Sequence, residues 1–428
     1  MRPSLKLCAL VVLILSSSLA DAAAATKAVL SEPDWKAGVA TVNITPSEQL
    51  RMSGYAARKK PAEGTLIDLY AKALALEDLR GRRVVILTLD LIGVPRLLRE
   101  SVARQALERF QLPPSALVMN ASHTHCGPVV RTGDAKGRDT DPLYQKEVAY
   151  RVELERRLVT LIGDALDALA PARLSYTFAR AGFAMNRRTP TDKGYRNFPN
   201  PEGPVDHQVP VLQVSNEAGE LKGVLFGYAC HNTTLGIYLY GGDYAGFAQK
   251  YFEAAHPGVT ALFLMGCGAD QNPYPRSLIE LAEQHGRTLA TAVEAALQTT
   301  PRPVRGPLLA VQEDVLLDRT GKLDDYPYTL QILRFGNDLV MPILSSEVVV
   351  DYSLRLKKEF AGSAAVWVAG YSNDYCGYIP SRRVELEGGY EANGPWELDT
   401  EERIMAKLHE LNRRMTTDAA PTPVTVKP

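Results

Sequence analysis

The sequence predicts an α/β protein in which mixed β-sheets are surrounded by helices within one large domain. Continuous apolar, β-branched runs, such as residues 84–89, are typical of strands that are covered on both faces. Amphipathic helical segments alternate with these runs, and two hairpin signals occur among them. Hairpins combined with strand–helix alternation favour mixed sheets over a strictly doubly wound sheet.

The individual elements follow from turn residues and apolar periodicity. Turns at 216–219 and 336–338 contain Asn, Asp and Gly and predict the two hairpins. Residues 186–207 hold four prolines and show little apolar periodicity, which predicts a long loop, and such loops are often functional. Strands are predicted at 84–89, 116–119, 209–214, 223–230, 261–265, 330–335, 339–344 and 365–369. Helices are predicted at 95–110, 144–169, 278–297, 346–360 and 400–415.

The N-terminus has the pattern of a secretory signal peptide over residues 1–20. Arg2 and Lys6 precede an apolar run at 7–15, and small residues follow that run. The run is short for a bilayer span, although an uncleaved membrane anchor is the alternative. We therefore expect export to a periplasm, lumen or exterior, a folded domain over 30–416, and a loose tail over 417–428.

Composition excludes several classes of protein. Hydrophobic residues make up 46% of the 428 residues and charged residues 23%, which rules out disorder as the main state. The formal net charge of −1 is too close to neutral for a protein that follows a nucleic-acid backbone. We expect no nucleic-acid partner and at most peripheral membrane contact, whereas the oligomeric state is not given by the sequence.

Four cysteines remain after the signal peptide, and none is spaced as in a four-cysteine zinc site. An oxidising compartment permits disulfides, and the alternative is buried thiols that act as small apolar side chains. The sequence leaves both possibilities open for Cys126, Cys230, Cys267 and Cys376.

Histidines follow two of the predicted strands. His123 and His125 point the same way if the strand before them continues, so both could face one ligand, and His231 ends a second apolar strand. Histidine is a common zinc ligand and acid–base group, although a pair of hydrogen-bonded loop histidines is the alternative. Two further histidines lie on amphipathic helices, where we expect them to be solvated; these are His285 and His409.

A carboxylate is the expected third metal ligand, but the pattern alone does not select it. Four acidic residues follow apolar strands: Asp90, Asp243, Asp270 and Glu347. The chain lacks HExxH, which disfavours a zincin protease, and GxSxG, which disfavours a serine α/β-hydrolase. It also lacks the Walker lysine and GxGxxG, so nucleotide binding has little support.

Several segments resemble, in order, those of the neutral/alkaline non-lysosomal ceramidase family. Residues 120–128 resemble its His-Thr-His-Ser-Gly-Pro motif, and Asn186-Arg187 and Cys230-His231 resemble its Asn-Arg loop and second zinc-histidine strand. The matching segments nearer the C-terminus are 345–348, 372–379 and 389–391. The resemblance spans roughly residues 36 to 395 and implies a ceramidase-type catalytic domain.

The resemblance implies a zinc site and a set of polar groups around a scissile amide. The implied Zn2+ ligands are His123, His231, Glu347 and Tyr378. His125 would move a proton to the leaving amine, and Arg187 and Tyr390 would stabilise the developing oxyanion. The expected substrate is a small-molecule or lipid amide.

Three departures from the family pattern bear on the substrate. Asn272 stands where the family places a catalytic serine, and Cys126 replaces a serine beside the two histidines. The C-terminal immunoglobulin-like domain of longer members is also expected to be missing. We therefore expect a secreted zinc amidohydrolase that acts on an N-acyl lipid or similar amide. The alternatives are a zinc esterase or other hydrolase with a soluble substrate, and a non-catalytic zinc-binding homologue.

Overall fold

The computed structural model describes residues 33–131, 140–321 and 323–418. From Asp34 onward these residues belong to one compact unit. The predicted signal peptide lies outside the described residues, as does the predicted tail beyond Asp418. In the described part, no helix is both long enough and apolar enough to cross a membrane.

Twenty strands occur in the described residues. In chain order, β1 to β20 are Trp35–Asn43, Gly64–Thr65, Tyr70–Asp78, Arg83–Leu89, Leu117–Ala121, Ala170–Arg180, Ala184–Thr191, Gly194–Asn200, Gln208–Asn216, Leu221–Tyr228, Leu239–Tyr240, Thr260–Met265, Gln271–Pro273, Arg302–Val304, Leu308–Leu317, Tyr326–Phe335, Leu339–Leu344, Glu347–Val348, Ala365–Val366 and Tyr378–Ile379.

Seven α-helices and two short 3-10 turns complete the described elements. The helices α1 to α7 are Arg96–Phe110, Pro142–Asp167, Asp243–Ala255, Ile279–Leu297, Val350–Glu359, Arg382–Glu387 and Thr400–Asp418. The 3-10 turns are Pro114–Ala116 and Tyr390–Ala392.

The sheets are mixed, as the sequence predicts. The main sheet has nine strands in the order β12-β10-β9-β6-β1-β3-β4-β5, with β14 paired to β6. Within it, β4 pairs with β5 and β10 with β12 in parallel, whereas the other neighbours are antiparallel. A second sheet has the order β15-β16-β17-β19, and three small sheets pair β2 with β11, β7 with β8 and β13, and β18 with β20.

The core lies between four layers, which are helices α1 to α4, the main sheet, the second sheet, and helices α5 and α7. Alternate residues of a strand face opposite sides, so Leu74 of β3 packs against the second sheet while Ala73 packs against α1 and α2. Helices α3 and α4 cover the same side of the main sheet near β10 and β12. Helices α5 and α7 cover the outer face of the second sheet. Both sheets are therefore buried between helices, which explains the continuous apolar runs in the sequence.

Three predicted elements differ from the structure. The loop predicted at 186–207 is largely the hairpin β7–β8; β8 is mostly exposed, so its sequence carries no apolar alternation. The helix predicted from residue 346 begins at Val350, because Glu347–Val348 pairs with Tyr378–Ile379. The strand predicted at 365–369 contains only two residues, Ala365–Val366.

Asn120 joins the two strands that end the strand order of the main sheet. Its Oδ1 accepts a hydrogen bond from the backbone N–H of Met265 at the end of β12, at 2.8 Å. Its Nδ2 donates to the carbonyl of Gly370 at 2.7 Å and to Ser372 Oγ at 3.0 Å. Because Asn120 is fully buried, these bonds cannot be replaced by water.

We expect Asn120→Ala to lower the free energy of unfolding by roughly 2–4 kcal/mol, because it leaves several buried backbone groups without partners. Urea unfolding followed by circular dichroism measures this change. Asn197→Ala is the matched control, since Asn197 is exposed on β8, and it should change stability by less than about 0.5 kcal/mol. Equal stability of the two variants would refute the structural role of Asn120.

Candidate active site

The predicted histidines lie beyond the ends of two strands of the main sheet. β5 ends at Ala121 and β10 at Tyr228, so His123, His125 and His231 all lie in the segments that follow. His123 has a backbone φ of 62°, so the strand does not continue through the pair as assumed in the sequence analysis. The rings of His123 and His125 nevertheless converge, and their Nε2 atoms lie 3.1 Å apart.

Backbone carbonyls orient two of the imidazole rings. His123 Nδ1 donates to the carbonyl of Ile92 at 2.6 Å, and His231 Nδ1 donates to the carbonyl of Gly268 at 2.8 Å. A carbonyl only accepts hydrogen bonds, so each Nδ1 carries a proton, and in the neutral ring each Nε2 keeps a free lone pair. This is the arrangement of metal-binding histidines, whose second nitrogen is held by a protein acceptor.

Glu347 lies between these two Nε2 atoms. Its Oε2 is 3.3 Å from His123 Nε2 and 3.2 Å from His231 Nε2, and all three side chains are buried. Within the described residues, neither His231 Nε2 nor Glu347 Oε2 makes a hydrogen bond, despite this proximity. Buried polar atoms without partners are costly, and a cation held between them would satisfy both.

Electrostatics favour the neutral, metal-binding form of His125 and His231. Burial, followed by the charge of Arg187, lowers the pKa of His231 to about 3. Burial and the neighbouring histidines lower the pKa of His125 well below its ordinary value. Burial raises the pKa of Glu347, but His123 and His231 outweigh it and bring the pKa well below its ordinary value. Neutral imidazoles beside an ionised carboxylate are the protonation states that divalent metal binding requires.

Tyr378 is placed beside Glu347 by the parallel pairing of β18 with β20. Its ring stacks on His231, with 6.4 Å between ring centroids, and its hydroxyl accepts a hydrogen bond from Arg187 Nη2 at 3.0 Å. Burial, followed by the charge of Glu347, raises the pKa of Tyr378 well above its ordinary value. The hydroxyl therefore keeps its proton unless a cation lies beside it.

His125 is the second candidate for completing the ligand set. The ligand atoms of His123, His125 and His231 lie within 4.8 Å of one another, which makes them a possible metal-binding group in the described part of the chain. The structure thus brings together all residues predicted as ligands, and adds His125 to them. Which of these side chains bind a metal stays a prediction.

Arg187 connects the other predicted site residues. It is buried, and its guanidinium donates to Glu391 Oε1 at 2.8 Å, to Asn272 Oδ1 at 3.1 Å and to the Tyr378 hydroxyl. It also lies 5.3 Å from the centroid of the Tyr390 ring, and Tyr390 is 48% exposed at the mouth of the pocket. One paired cation therefore holds the side chains on one wall of the pocket in place.

Asn272 is buried on β13 beside that arginine. Its Oδ1 also accepts a hydrogen bond from Thr233 Oγ1 at 3.3 Å, and its Nδ2 donates to the Tyr274 hydroxyl at 3.4 Å. An amide makes these contacts without supplying a nucleophile. In this chain the position serves to orient Arg187.

The pocket above these residues has a volume of about 470 Å3. Tyrosine, histidine and small residues dominate its described lining, and the aliphatic side chains among them are Ala56 and Ile92. The lining residues are Ser53, Gly54, Tyr55, Ala56, Ile92, His123, His125, Glu347, Tyr375, Gly377, Tyr378 and Tyr390.

The structure adds residues that sequence reasoning did not assign. Tyr375 donates a hydrogen bond to Glu347 Oε1 at 2.8 Å, and Glu391 pairs with both Arg187 and Arg188. Both lie in segments that resemble the ceramidase family, at 372–379 and 389–391, so the resemblance of these segments was the sequence signal that could have identified them. Tyr55 packs edge-on against His125 at 4.8 Å and had no sequence signal.

Other predictions fare differently. The prediction that His285 is solvated is wrong: it is 3% exposed and its Nε2 bonds the carbonyl of Pro275, because α4 packs this face inward. The solvated position of His409 is confirmed.

Of the four candidate carboxylates, Glu347 alone lines the pocket. The four cysteines in the described residues are free thiols, and three of them are buried, so the alternative of buried thiols is confirmed for those three; the four are Cys126, Cys230, Cys267 and Cys376.

The fold and the site define an α/β protein with a buried histidine–carboxylate centre of the kind that holds a divalent metal. The chain belongs to the neutral/alkaline non-lysosomal ceramidase family, whose N-terminal domain model matches residues 35–292. A comparison with curated protein sequences finds no significant match.

Solved structures support the same fold. The chain is similar to the neutral ceramidase from Pseudomonas aeruginosa, with 18% identity and a TM-score of 0.74 over 93% of this chain and 77% of that chain. It is equally similar to a structure described as ceramidase complexed with C2, with 17% identity and a TM-score of 0.74 over the same shares of both chains. At these identities the likeness establishes the fold.

Proposed function

We propose that this protein is a secreted, zinc-dependent amidohydrolase that cleaves an N-acyl lipid or a similar amide. The observation that carries the proposal is the convergence of His123 Nε2, His231 Nε2 and Glu347 Oε2 at 3.2–3.3 Å. Family membership supports amide hydrolysis, and the apolar N-terminus supports export.

The proposed roles follow from the contacts. His123, His231, Glu347 and Tyr378 would hold the metal, which supplies a Lewis acid and lowers the pKa of a bound water. His125 has a buried Nδ1 without a hydrogen-bond partner among the described residues and is neutral, so it can accept a proton and return it to the leaving amine. Arg187 and Tyr390 flank the position where negative charge would develop on the amide oxygen.

A second candidate function is a hydrolase with a polar, soluble substrate. The described lining of the pocket offers two aliphatic side chains, which favours this candidate over one that sequesters a long alkyl chain. The loss of the family serine supports a non-catalytic zinc-binding homologue, but Asn272 retains a defined contact with Arg187 in the site.

The deciding experiment measures metal content and hydrolysis on the purified mature protein. Zinc stoichiometry is determined, and a short-chain fluorescent ceramide and an unrelated acyl ester are assayed with and without chelator. About one zinc with chelator-sensitive amide cleavage supports the proposal. One zinc with ester cleavage alone favours the second candidate, and a protein that binds no metal contradicts both.

Tyr375→Phe tests whether the hydrogen bond from Tyr375 to Glu347 strengthens zinc binding at the proposed metal site. The substitution removes the 2.8 Å hydrogen bond to Glu347 Oε1 while keeping the ring, so we expect zinc affinity to fall by roughly 10- to 100-fold. Competition with a chromophoric chelator measures the affinity. Tyr195→Phe is the control, because Tyr195 lies on the hairpin β7–β8 and not in the pocket lining. Equal affinity of both variants would contradict the role of Tyr375.

A further inference from the structure

Two arginines contact Tyr55. Tyr55 lines the pocket and packs edge-on against His125. The guanidinium of Arg58 lies over the Tyr55 ring at 4.9 Å from its centroid, and Arg276 Nη2 donates to the Tyr55 hydroxyl at 3.4 Å. The tyrosine therefore connects the predicted proton-transfer histidine to a pair of positive charges.

Arg58 is held by backbone carbonyls. Its Nη1 donates to the carbonyls of Ser53 and His125, and its Nη2 donates to the carbonyl of Ile237 at 2.7 Å. Neutral carbonyls accept hydrogen bonds from its two terminal nitrogens but do not cancel its charge, and its buried Nε has no partner among the described residues. Arg58 is thus a fixed positive charge directly behind His125.

Arg276 has no acidic partner among the described residues. In the described part of the chain, its hydrogen bond to Tyr55 is a long one, and neither Arg276 nor Arg58 has a carboxylate within 4 Å of its guanidinium. Asp243, which acts on Tyr55 electrostatically, is fully buried and accepts hydrogen bonds from the backbone N–H groups of Leu235 and Tyr244. That carboxylate cannot rotate out to pair with the rim.

Arg58 and Arg276 differ from the other two arginines of the site, which have acidic partners. Arg187 and Arg188 both pair with Glu391 at 2.6–2.8 Å, and Arg188 also pairs with Glu387 at 3.1 Å, so two carboxylates balance the two charges within the protein. An unpaired guanidinium beside a substrate pocket is a binding group for carboxylate or phosphate, because its planar donors match two anionic oxygens.

We propose that the substrate carries an anionic group, which Arg276 binds at the rim beside Tyr55. This inference rests on the proposed amidohydrolase function and specifies the substrate as an N-acylated compound with a carboxylate or phosphate near the amide, such as an N-acyl amino acid. A neutral amide would leave both positive charges at the rim without a counter-charge. The small number of aliphatic side chains in the described lining suits a short acyl chain.

The test compares three soluble amides that differ in one group. N-hexanoylglycine carries a carboxylate, N-hexanoylethanolamine a neutral hydroxyl, and O-phospho-N-hexanoylethanolamine a phosphate. Binding to chelator-treated protein is measured by isothermal titration at low salt, and hydrolysis is measured on the zinc-loaded protein. We expect at least roughly tenfold tighter binding of an anionic compound, with the preference shrinking as ionic strength rises.

Variants connect that preference to one side chain. Arg276→Gln should reduce the anionic-to-neutral affinity ratio roughly tenfold, and Arg276→Lys should retain part of it. Arg302→Gln is the matched control, because Arg302 is exposed on β14, and it should leave the ratio unchanged. The stronger of the two anionic ligands identifies the group as carboxylate or phosphate.

The outcomes separate the two proposals. Equal or undetectable binding of all three compounds, or a preference that Arg276→Gln leaves intact, overturns the inference about the anionic group. An Arg276-dependent binding preference without hydrolysis of any amide overturns the proposed amidohydrolase function and keeps the inference. Hydrolysis of all three amides at equal kcat/KM keeps the function and overturns the inference.

Discussion

Replacing His231 by alanine is expected to remove most of the bound metal and to lower kcat/KM by roughly a thousandfold, equal to about 4 kcal/mol of transition-state stabilisation. The physical reason is that His231 Nε2 and Glu347 Oε2 lie 3.2 Å apart and both lack a hydrogen-bond partner among the described residues, so the proposed cation would satisfy both. His123→Ala should have the same effect. Elemental analysis measures the metal, and circular dichroism establishes that the variants fold.

A control histidine separates loss of a ligand from general damage. His256 pairs with Glu294 near the surface, so His256→Ala should retain full metal and activity. Full metal content in His231→Ala would remove that residue from the ligand set. The pair His125→Ala and Tyr378→Phe then decides the remaining ligand, because the side chain that binds the metal is the one whose loss lowers zinc affinity.

Arg187→Lys is expected to lower kcat by roughly a hundredfold or more, although the positive charge is kept. A lysine ammonium cannot donate at the same time to Glu391, Asn272 and the Tyr378 hydroxyl, as the arginine fork does. Tyr378 and Asn272 would lose their orientation, and the amide oxygen would lose a planar donor. Steady-state kinetics with an amide that the assays proposed above identify as a substrate measures the effect.

Arg188→Lys is the matched control for this prediction. Arg188 pairs with the same Glu391 carboxylate, at 2.6 Å, but its other hydrogen bonds are to Glu387 and to backbone carbonyls of Val384 and Gly388. The variant should lose stability through its buried ion pair and keep kcat within a fewfold of the unchanged protein. Equal losses of kcat in both variants would mean that Glu391, and not the guanidinium of Arg187, matters for catalysis.

The strands that carry the site were predictable because they are covered on both faces. Strands were predicted at 116–119 and 223–230, and the site histidines lie just beyond the buried strands β5 and β10 found there. Strands with one exposed side were missed, as with β8 and its exposed Phe198. Burial alone did not decide which strands were predicted, because β5 and β12, which end the strand order of the main sheet, were predicted, whereas its central strands β1, β3 and β6 were not.

The choice among the carboxylates was beyond the sequence pattern. Asp90, Asp270 and Glu347 each follow an apolar strand, and nothing in local periodicity says which strands become neighbours. The pairing of β18 with β20 brings Glu347 beside Tyr378, and that pairing involves two residues on each strand. Family resemblance supplied Glu347 because it encodes tertiary neighbours that a single sequence does not display.

The connection from Asn120 to Ser372 has a consequence for how this protein matures. These residues are 252 positions apart, and the match to the family model ends at residue 292, before Glu347 and Tyr378. Closing such long loops costs chain entropy before any contact repays it, so these contacts form late in folding. During synthesis the histidines emerge long before Glu347, so the proposed metal site would be complete only after Tyr378 has been synthesised. If the proposed zinc site is correct, metal uptake would be a final maturation step, in the compartment where folding ends.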